Sequence, residues 1–174
     1  DEGAPLLGDV PELDAGHGSD GKWQRVDTNL KQDNGGWRNT ADAVTTRLAG
    51  RADAQPLVTL ELDRDHALSY RLQDAAAVAG QAAGSAVTYP RVRQDADLRI
   101  NATPGGFKED LVLHSANAPT TWLFPLQLKG LSAKVVDNAV VLTDSAGAER
   151  AVIPAGFMTD SNVDENTGDP ATPY

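Results

Sequence analysis

The chain has 174 residues, no cysteine and a formal charge of −10, from 15 Lys and Arg against 25 Asp and Glu. This length can bury the core of one large β-sandwich or two small ones, and the absence of thiols excludes disulfides and cysteine-ligated zinc. The acidic charge repels polyanions and predicts no nucleic-acid partner, and the lack of an apolar run of about eighteen residues predicts no membrane insertion.

Both ends of the chain lack an apolar period. Residues 1–20 are acidic and are interrupted by Gly16 and Gly18, and the last residues again combine carboxylates with glycine and proline. We therefore expect a flexible lead-in over 1–20, a β-sandwich module over 21–159, and an acidic linker over 160–174 that leads to a following domain.

Between the ends, apolar residues recur with the period of two that is typical of strands. Trp23–Leu30 and Val44–Leu48 are predicted strands on either side of a loop at Asp33–Gly36. Leu57–Leu62 and Leu68–Leu72 alternate around a polar break and predict a hairpin.

A second hairpin is predicted around Thr103-Pro-Gly-Gly106, because this sequence suits a type II turn and Phe107–His114 then returns as the partner strand. Trp122–Leu128 is predicted as an edge or bulged strand, since Pro125 cannot donate to a ladder. Leu131–Ile153 predicts a meander.

The alanine-rich segment Asp74–Gly84 is predicted as loop or short strand, because its glycines disfavour a helix. The predicted fold class is therefore all-β: an antiparallel β-sandwich of hairpins and meanders, either single or made of two packed sub-sandwiches.

No familiar catalytic motif is present, and we predict no catalytic residue, no cofactor and no enzyme. Ser19 and Ser115 lie beside His17 and His114, but neighbours on a strand point to opposite faces. For the same reason Glu109 and Asp110 do not suit paired acid catalysis, and with Lys108 they are predicted to be cross-strand ion partners. Glu109 also shares a face with Phe107 and Leu111, which suggests a bulge or a half-buried face.

Two binding hypotheses remain beside this structural interpretation. Asp160, Asn162 and Asp164 alternate as calcium ligands do, although the glycine and the bidentate acid of a calcium loop are missing. The second concerns Trp23, Trp37 and Trp122, which are core or interface residues unless one of them forms a sugar-stacking platform. Trp37 is predicted to be the most exposed, because it follows Gly35-Gly36 in a loop.

Short motifs in order along the chain resemble the N-terminal β module of secreted RHS (YD-repeat) and DNRLRE-domain proteins of Gram-positive bacteria, notably actinomycetes. The motifs are Gly21–Leu30, Tyr89–Val92, Ala96–Arg99, Gly106–Leu113, Thr121–Leu126 and Ile153–Ser161. The resemblance implies export or residence at the cell wall, and a scaffold or toxin-delivery role without catalytic residues.

The leading functional hypothesis is a non-catalytic structural module that contacts other domains of the same large exported protein. The alternative is a carbohydrate-binding module for wall or host glycans through Trp37 or Trp122. A third hypothesis is a hydrolase whose acids, Ser or His converge from distant strands. The sequence leaves open the following domain, the oligomeric state and an intramolecular Lys–Asn or Lys–Asp crosslink.

Overall fold

The computed structural model describes residues 15–17 and 23–161, with side chains from residue 26 onward. These residues form fifteen strands and no helix. The strands are β1 Ala15–His17, β2 Trp23–Arg25, β3 Lys31–Asp33, β4 Gly36–Arg38, β5 Thr45–Leu48, β6 Val58–Glu61, β7 Ala67–Tyr70, β8 Gln81–Ala83, β9 Ala86–Arg93, β10 Ala96–Thr103, β11 Gly106–Leu113, β12 Leu126–Lys129, β13 Ser132–Val136, β14 Ala139–Thr143 and β15 Glu149–Ile153.

The chain divides into two compact units, Asp1–Lys129 and Gly130–Tyr174. The first contains a six-stranded sheet of order β12-β7-β6-β5-β4-β3, a four-stranded sheet of order β11-β10-β9-β8, and the β1-β2 pair. The second contains the meander β13-β14-β15. All the strand pairs are antiparallel, so the predicted all-β fold class is confirmed.

The two large sheets of the first unit face each other across an apolar core, as in a β-sandwich. The alternating residues of β5, β6 and β7 that the sequence placed on one face are buried, and so are those of β9 and β10. The largest of these fully buried side chains are Leu48, Val58, Val87, Tyr89, Leu98 and Ile100.

Polar contacts also join the two sheets. The Thr46 hydroxyl on β5 donates to the Gly106 carbonyl on β11 at 3.1 Å. The Tyr89 hydroxyl on β9 donates to the carbonyl of Ala49, just after β5, at 2.6 Å. The sheets are therefore fixed in relative position by hydrogen bonds as well as by burial of apolar surface.

The turns follow from residues that tolerate positive φ. Gly105, with φ of 76°, closes the predicted hairpin of β10 and β11. Asn34 and Gly35, with φ of 48° and 80°, form a tight turn between β3 and β4, where the sequence had indicated only a loop. Asn-Gly is the preferred pair for such a turn, so the signal was present in the sequence.

Some predicted strand boundaries are wrong. The segment predicted as one strand from Trp23 contains β2 and then irregular backbone before β3 begins. Residues 121–125 are also irregular, and only Leu126–Lys129 forms a strand, β12. This strand lies at the edge of the six-stranded sheet, and an edge position is what Pro125 predicted.

The predicted lead-in and linker lie mostly outside the described residues. Within the predicted lead-in, Ala15–His17 forms β1 and pairs with β2. The proposed division at 21–159 stays a prediction. No helix in the described ranges has the length and apolar character needed to cross a membrane.

Gly80 lies close to the side chains of three other residues. A Cβ atom at this position would lie 2.8 Å from Tyr89 Cε1, 2.8 Å from Val87 Cγ1 and 2.9 Å from Trp37 Cζ3. The Gly80 N–H donates to the Gly50 carbonyl at 2.9 Å, which limits any shift of the backbone away from the rings. Position 80 therefore has no room for a side chain.

We expect Gly80→Ala to destabilise the chain by roughly 1–3 kcal/mol, because the added methyl group overpacks buried neighbours. Gly106→Ala is the matched control, since a Cβ there meets nothing within 4 Å. Urea denaturation of both variants and the wild type measures the difference. Equal midpoints for the two variants would contradict this account of the packing at Gly80.

Candidate functional site

The described part of the chain has a group of hydrogen-bonded polar residues at one end of the four-stranded sheet. The ring Nε2 of His114, just after β11, lies 3.0 Å from Asp97 Oδ2 on β10. The His114 backbone N–H donates to the Asp95 carbonyl at 2.8 Å, which holds the residue against the β9–β10 turn. The imidazole is thus fixed while 49% of its side chain stays exposed.

An irregularity in the sheet places Asp97. The β9–β10 register shifts between the partners of Ala96 and Leu98, so that β9 bulges around Arg91. Arg91 has a φ of 50°, and its backbone N–H donates to Asp97 Oδ1 at 2.7 Å. Bulges of this kind redirect side chains and are common beside active sites.

The electrostatics of Asp97 follow from these contacts. The Arg91 N–H is the largest cause that lowers the pKa of the Asp97 carboxyl below its ordinary value, and the hydrogen bond from His114 adds to it. Asp97 is therefore an ionised acceptor at neutral pH. Since a carboxylate only accepts, His114 Nε2 is the donor of this pair.

Ser115 does not form a nucleophile–base pair with His114. Its hydroxyl donates to Asp95 Oδ2 at 2.6 Å, so Ser115 and His114 bond to different carboxylates. The prediction that these chain neighbours do not act as a pair is consistent with this geometry. The side chains of the other predicted pair, His17 and Ser19, lie outside the described residues.

The predicted ion cluster at Lys108, Glu109 and Asp110 is divided between two faces of β11. Lys108 Nζ and Asp110 Oδ1 form an ion pair at 3.0 Å along the strand. Glu109 points the other way, on the same face as its cross-strand partner Ile100, and accepts a hydrogen bond from the Tyr70 hydroxyl. The prediction of cross-strand ion partners was wrong, because Lys108 and Asp110 pair along one strand and Glu109 forms no ion pair with them. Glu109 lies on a half-buried face, which was one of the two alternatives, and β11 has no bulge.

Glu109 and Tyr70 connect the two sheets inside an aromatic cluster. Tyr70 is buried, and its ring centroid lies 5.8 Å from that of Phe107 and 5.4 Å from that of Phe124. Burial raises the pKa of the Glu109 carboxyl, although the Tyr70 hydrogen bond opposes this, and burial also raises the pKa of Tyr70. No signal in the sequence links residues this far apart.

His66 is the other imidazole whose side chain the structure describes. Its Nδ1 lies 2.9 Å and 3.0 Å from the two oxygens of Asp63, in the loop between β6 and β7. The hydrogen bond with His66 is the largest cause that lowers the pKa of Asp63, to about 2. Only 20% of the His66 side chain is exposed, compared with 49% of the His114 side chain.

The two described tryptophans are half-buried. Trp37 lies on β4, not in a loop, and its ring covers Gly80. The Trp122 indole N–H donates to the Pro119 carbonyl at 3.0 Å, and the guanidinium of Arg93 lies 5.4 Å from its ring centroid. Of Trp23, only its place in β2 lies within the described structure.

A pocket of about 280 Å³ lies beside the Asn34-Gly35 turn, with Trp37 and Pro56 among its lining residues. Arg47 also lines it but bonds to Asp33 at 2.6 Å and to Glu61 at 3.1 Å. The positive charge of Arg47 is therefore already balanced by these two carboxylates.

The calcium hypothesis falls largely outside the described residues, since Asn162 and Asp164 are not among them. Within residues 15–17 and 23–161, no three His, Asp or Glu residues form a group that could hold a metal ion.

Fold and site together define an all-β sandwich unit with an exposed His–Asp pair on one sheet. No family model and no solved structure matches the chain. It is similar to the tRNA nuclease WapA of Bacillus subtilis (strain 168), with 25% identity over 162 residues. The tRNA(Glu)-specific nuclease WapA of Bacillus subtilis subsp. natto (strain BEST195) is also 25% identical over 162 residues.

A third relative is the tRNA3(Ser)-specific nuclease WapA of Bacillus spizizenii, with 31% identity over 83 residues, which cover 48% of this chain. The first two matches cover 86% of this chain but only 7% of each relative, and the third covers 4% of its relative. The chain thus spans a small part of the length of the relatives it matches.

These relatives correct several predictions. The resemblance to RHS and DNRLRE-domain proteins is contradicted, because no family model matches and the relatives are named tRNA nucleases. The same names contradict a non-catalytic module, a carbohydrate-binding module, the absence of enzymatic activity and the absence of a nucleic-acid partner. A location outside the cell or at the wall stays a prediction.

The half-buried position of Glu109 predicts a pH-dependent effect on stability. The raised pKa of its carboxyl favours the protonated form in the folded chain, so its contribution to stability is complete below the ordinary value of 4.5 and is lost as the pH rises through the folded pKa. We expect Glu109→Gln to raise the denaturation midpoint relative to the wild type at pH 7 but not at pH 4.

Two variants separate this effect from others. Asp110→Asn removes a carboxylate from the outer face and should change stability little at either pH. Tyr70→Phe leaves Glu109 without its donor and should cost roughly 1–3 kcal/mol at pH 7. A Glu109→Gln variant equally displaced from the wild type at both pH values would contradict the assignment.

Proposed function

We propose that this chain is part of a tRNA nuclease of the WapA kind, so that tRNA is the substrate of the protein in which it works. The observation that carries the proposal is that two matches run along 86% of the chain and a third along 48%, and that all three relatives are named tRNA nucleases. A match over 86% of the chain includes residues of both the first and the second unit.

The net charge of −10 is compatible with this function when charge is considered locally. Long-range attraction to RNA depends on the potential where the phosphates bind, and a few cations on one face are enough for a contact. Arg99 is exposed on β10 and lies on the outer face of the four-stranded sheet, as Asp97 does. Lys108 lies on the same face, but it forms an ion pair with Asp110 at 3.0 Å.

A cleavage assay with the complete protein that the gene encodes tests the proposal. We expect it to cut one or a few species in a total tRNA mixture, visible as discrete fragments on a denaturing gel. A DNA oligonucleotide that copies the tRNA sequence is the control and should stay intact. If the folded protein leaves every tRNA uncut, the proposed function is wrong.

A further inference from the structure

We infer that the outer edge of β11 is a self-complementary interface, through which two copies of this chain associate by antiparallel pairing of β11 with β11. The inference goes beyond the proposed function and does not depend on it. The pairing would join the four-stranded sheets of the two copies into one continuous sheet.

The strand β11 lies at one end of its sheet and has β10 as its only strand neighbour in the described part of the chain. It has eight residues, whereas β8 at the opposite end of the sheet has three. It contains no proline and no bulge, which are two of the features that protect edge strands from pairing with another chain. β11 is therefore the strand of this sheet that is best able to accept another strand.

The backbone direction shows which groups of β11 are open to a partner. The Ala102 N–H donates to the Ser85 carbonyl at 2.8 Å and so points away from β11. Ala102 is opposite Phe107, and bonded and non-bonded pairs alternate along an antiparallel ladder. The N–H and C=O groups of Phe107, Glu109 and Leu111 therefore point away from β10. Among residues 15–17 and 23–161, no hydrogen bond reaches these groups.

The charges on β11 complement those of a second copy. When Glu109 pairs with Glu109 of the other copy, Lys108 lies opposite Asp110 of that copy, and this occurs twice. Both side chains are on the outer face of the sheet, with 57% and 41% exposed, and they already attract each other along one strand. Opposite charges that face each other across strands stabilise the pairing.

The apolar residues fit the same register. Phe107 lies opposite Leu111 of the other copy on the inner face, where both strands carry apolar side chains. Val112, which is 42% exposed, lies beside Gly106 of the other copy. A Cβ atom at Gly106 would meet nothing within 4 Å, so there is space for the valine. Large residues thus face small or apolar ones along the whole contact.

Other registers are less favourable. A shift of the centre to Lys108 or to Asp110 places that residue opposite the same residue of the other copy, and like charges that face each other destabilise a pair. The register centred on Glu109 also opposes two carboxyl groups, but Tyr70 on β7 donates to each of them. Burial raises the pKa of this carboxyl and so favours its uncharged form, which lowers the cost. The sequence of β11 therefore favours one register.

The first test is sedimentation equilibrium of the 174-residue chain across a range of concentrations. We expect a reversible equilibrium between monomer and dimer. Lys108→Asp should weaken the dimer about tenfold or more, because two pairs of opposite charges become pairs of like charges. Lys134→Asp is the matched control, since it makes the same charge change at an exposed position of another edge strand, β13, and should leave the equilibrium unchanged.

A charge exchange distinguishes this register from a general effect of charge. Asp110→Lys alone should weaken the dimer as Lys108→Asp does. The double variant that combines Lys108→Asp with Asp110→Lys restores opposite charges across the interface and should return the dissociation constant to within about threefold of the wild-type value. Glu109→Gln should strengthen the dimer, because it removes the central repulsion. Thermal melting followed by circular dichroism checks that each variant is folded.

Amide hydrogen exchange measured by NMR locates the interface residue by residue. The N–H groups of Phe107, Glu109 and Leu111 should exchange slowly in the wild-type dimer and quickly in Lys108→Asp. The N–H groups of Lys108 and Asp110 point toward β10 and should stay protected in the wild type.

Three results would overturn the inference: a wild-type chain that stays monomeric at every concentration, a dimer that Lys108→Asp does not weaken, or a double variant as weak as the single ones. Each of these results leaves the proposed function standing. A failure of tRNA cleavage, in turn, does not affect the dimer, so the two proposals can fail separately.

Discussion

The apolar layer between the six-stranded and four-stranded sheets is the constraint on which the rest of the first unit depends. Leu48 and Val58 contribute to it from one sheet, and Tyr89, Leu98 and Ile100 contribute from the other. Burial of each such side chain is worth about 1.5–3 kcal/mol, and its loss would leave strands too short to be stable alone. Because alternation fixes the inner residues, it also fixes which residues point outward, and Asp97 and Arg99 are among them.

Much of this arrangement could be predicted from the sequence, because alternation is a local signal. The hairpin of β6 and β7, the turn at Gly105 and the meander of the second unit follow from period and turn residues alone. Pro90, just before Arg91, was a signal for the β9–β10 bulge, because proline cannot donate to a ladder. The bond from the Arg91 backbone to a side chain on the next strand could not be predicted. The partner of His114 was missed for the same reason, because strand register sets which residues meet and propensity does not.

The conclusion drawn from net charge was the main functional error. A total of −10 describes the whole chain, whereas recognition depends on the potential of one surface. The total already subtracts the cations that pair with carboxylates, such as Arg47 with Asp33 and Lys108 with Asp110, so these pairs do not reduce it. It does not say where on the surface the excess carboxylates lie.

The closed space over Gly80 constrains how this sandwich can change in evolution. Trp37 and Tyr89 come from different sheets and both cover the same glycine. A relative with a larger residue at position 80 must therefore have a smaller ring, or none, at position 37 or 89. These three positions should vary together in an alignment of homologues, and their covariation would record the contact between the two sheets in sequence alone.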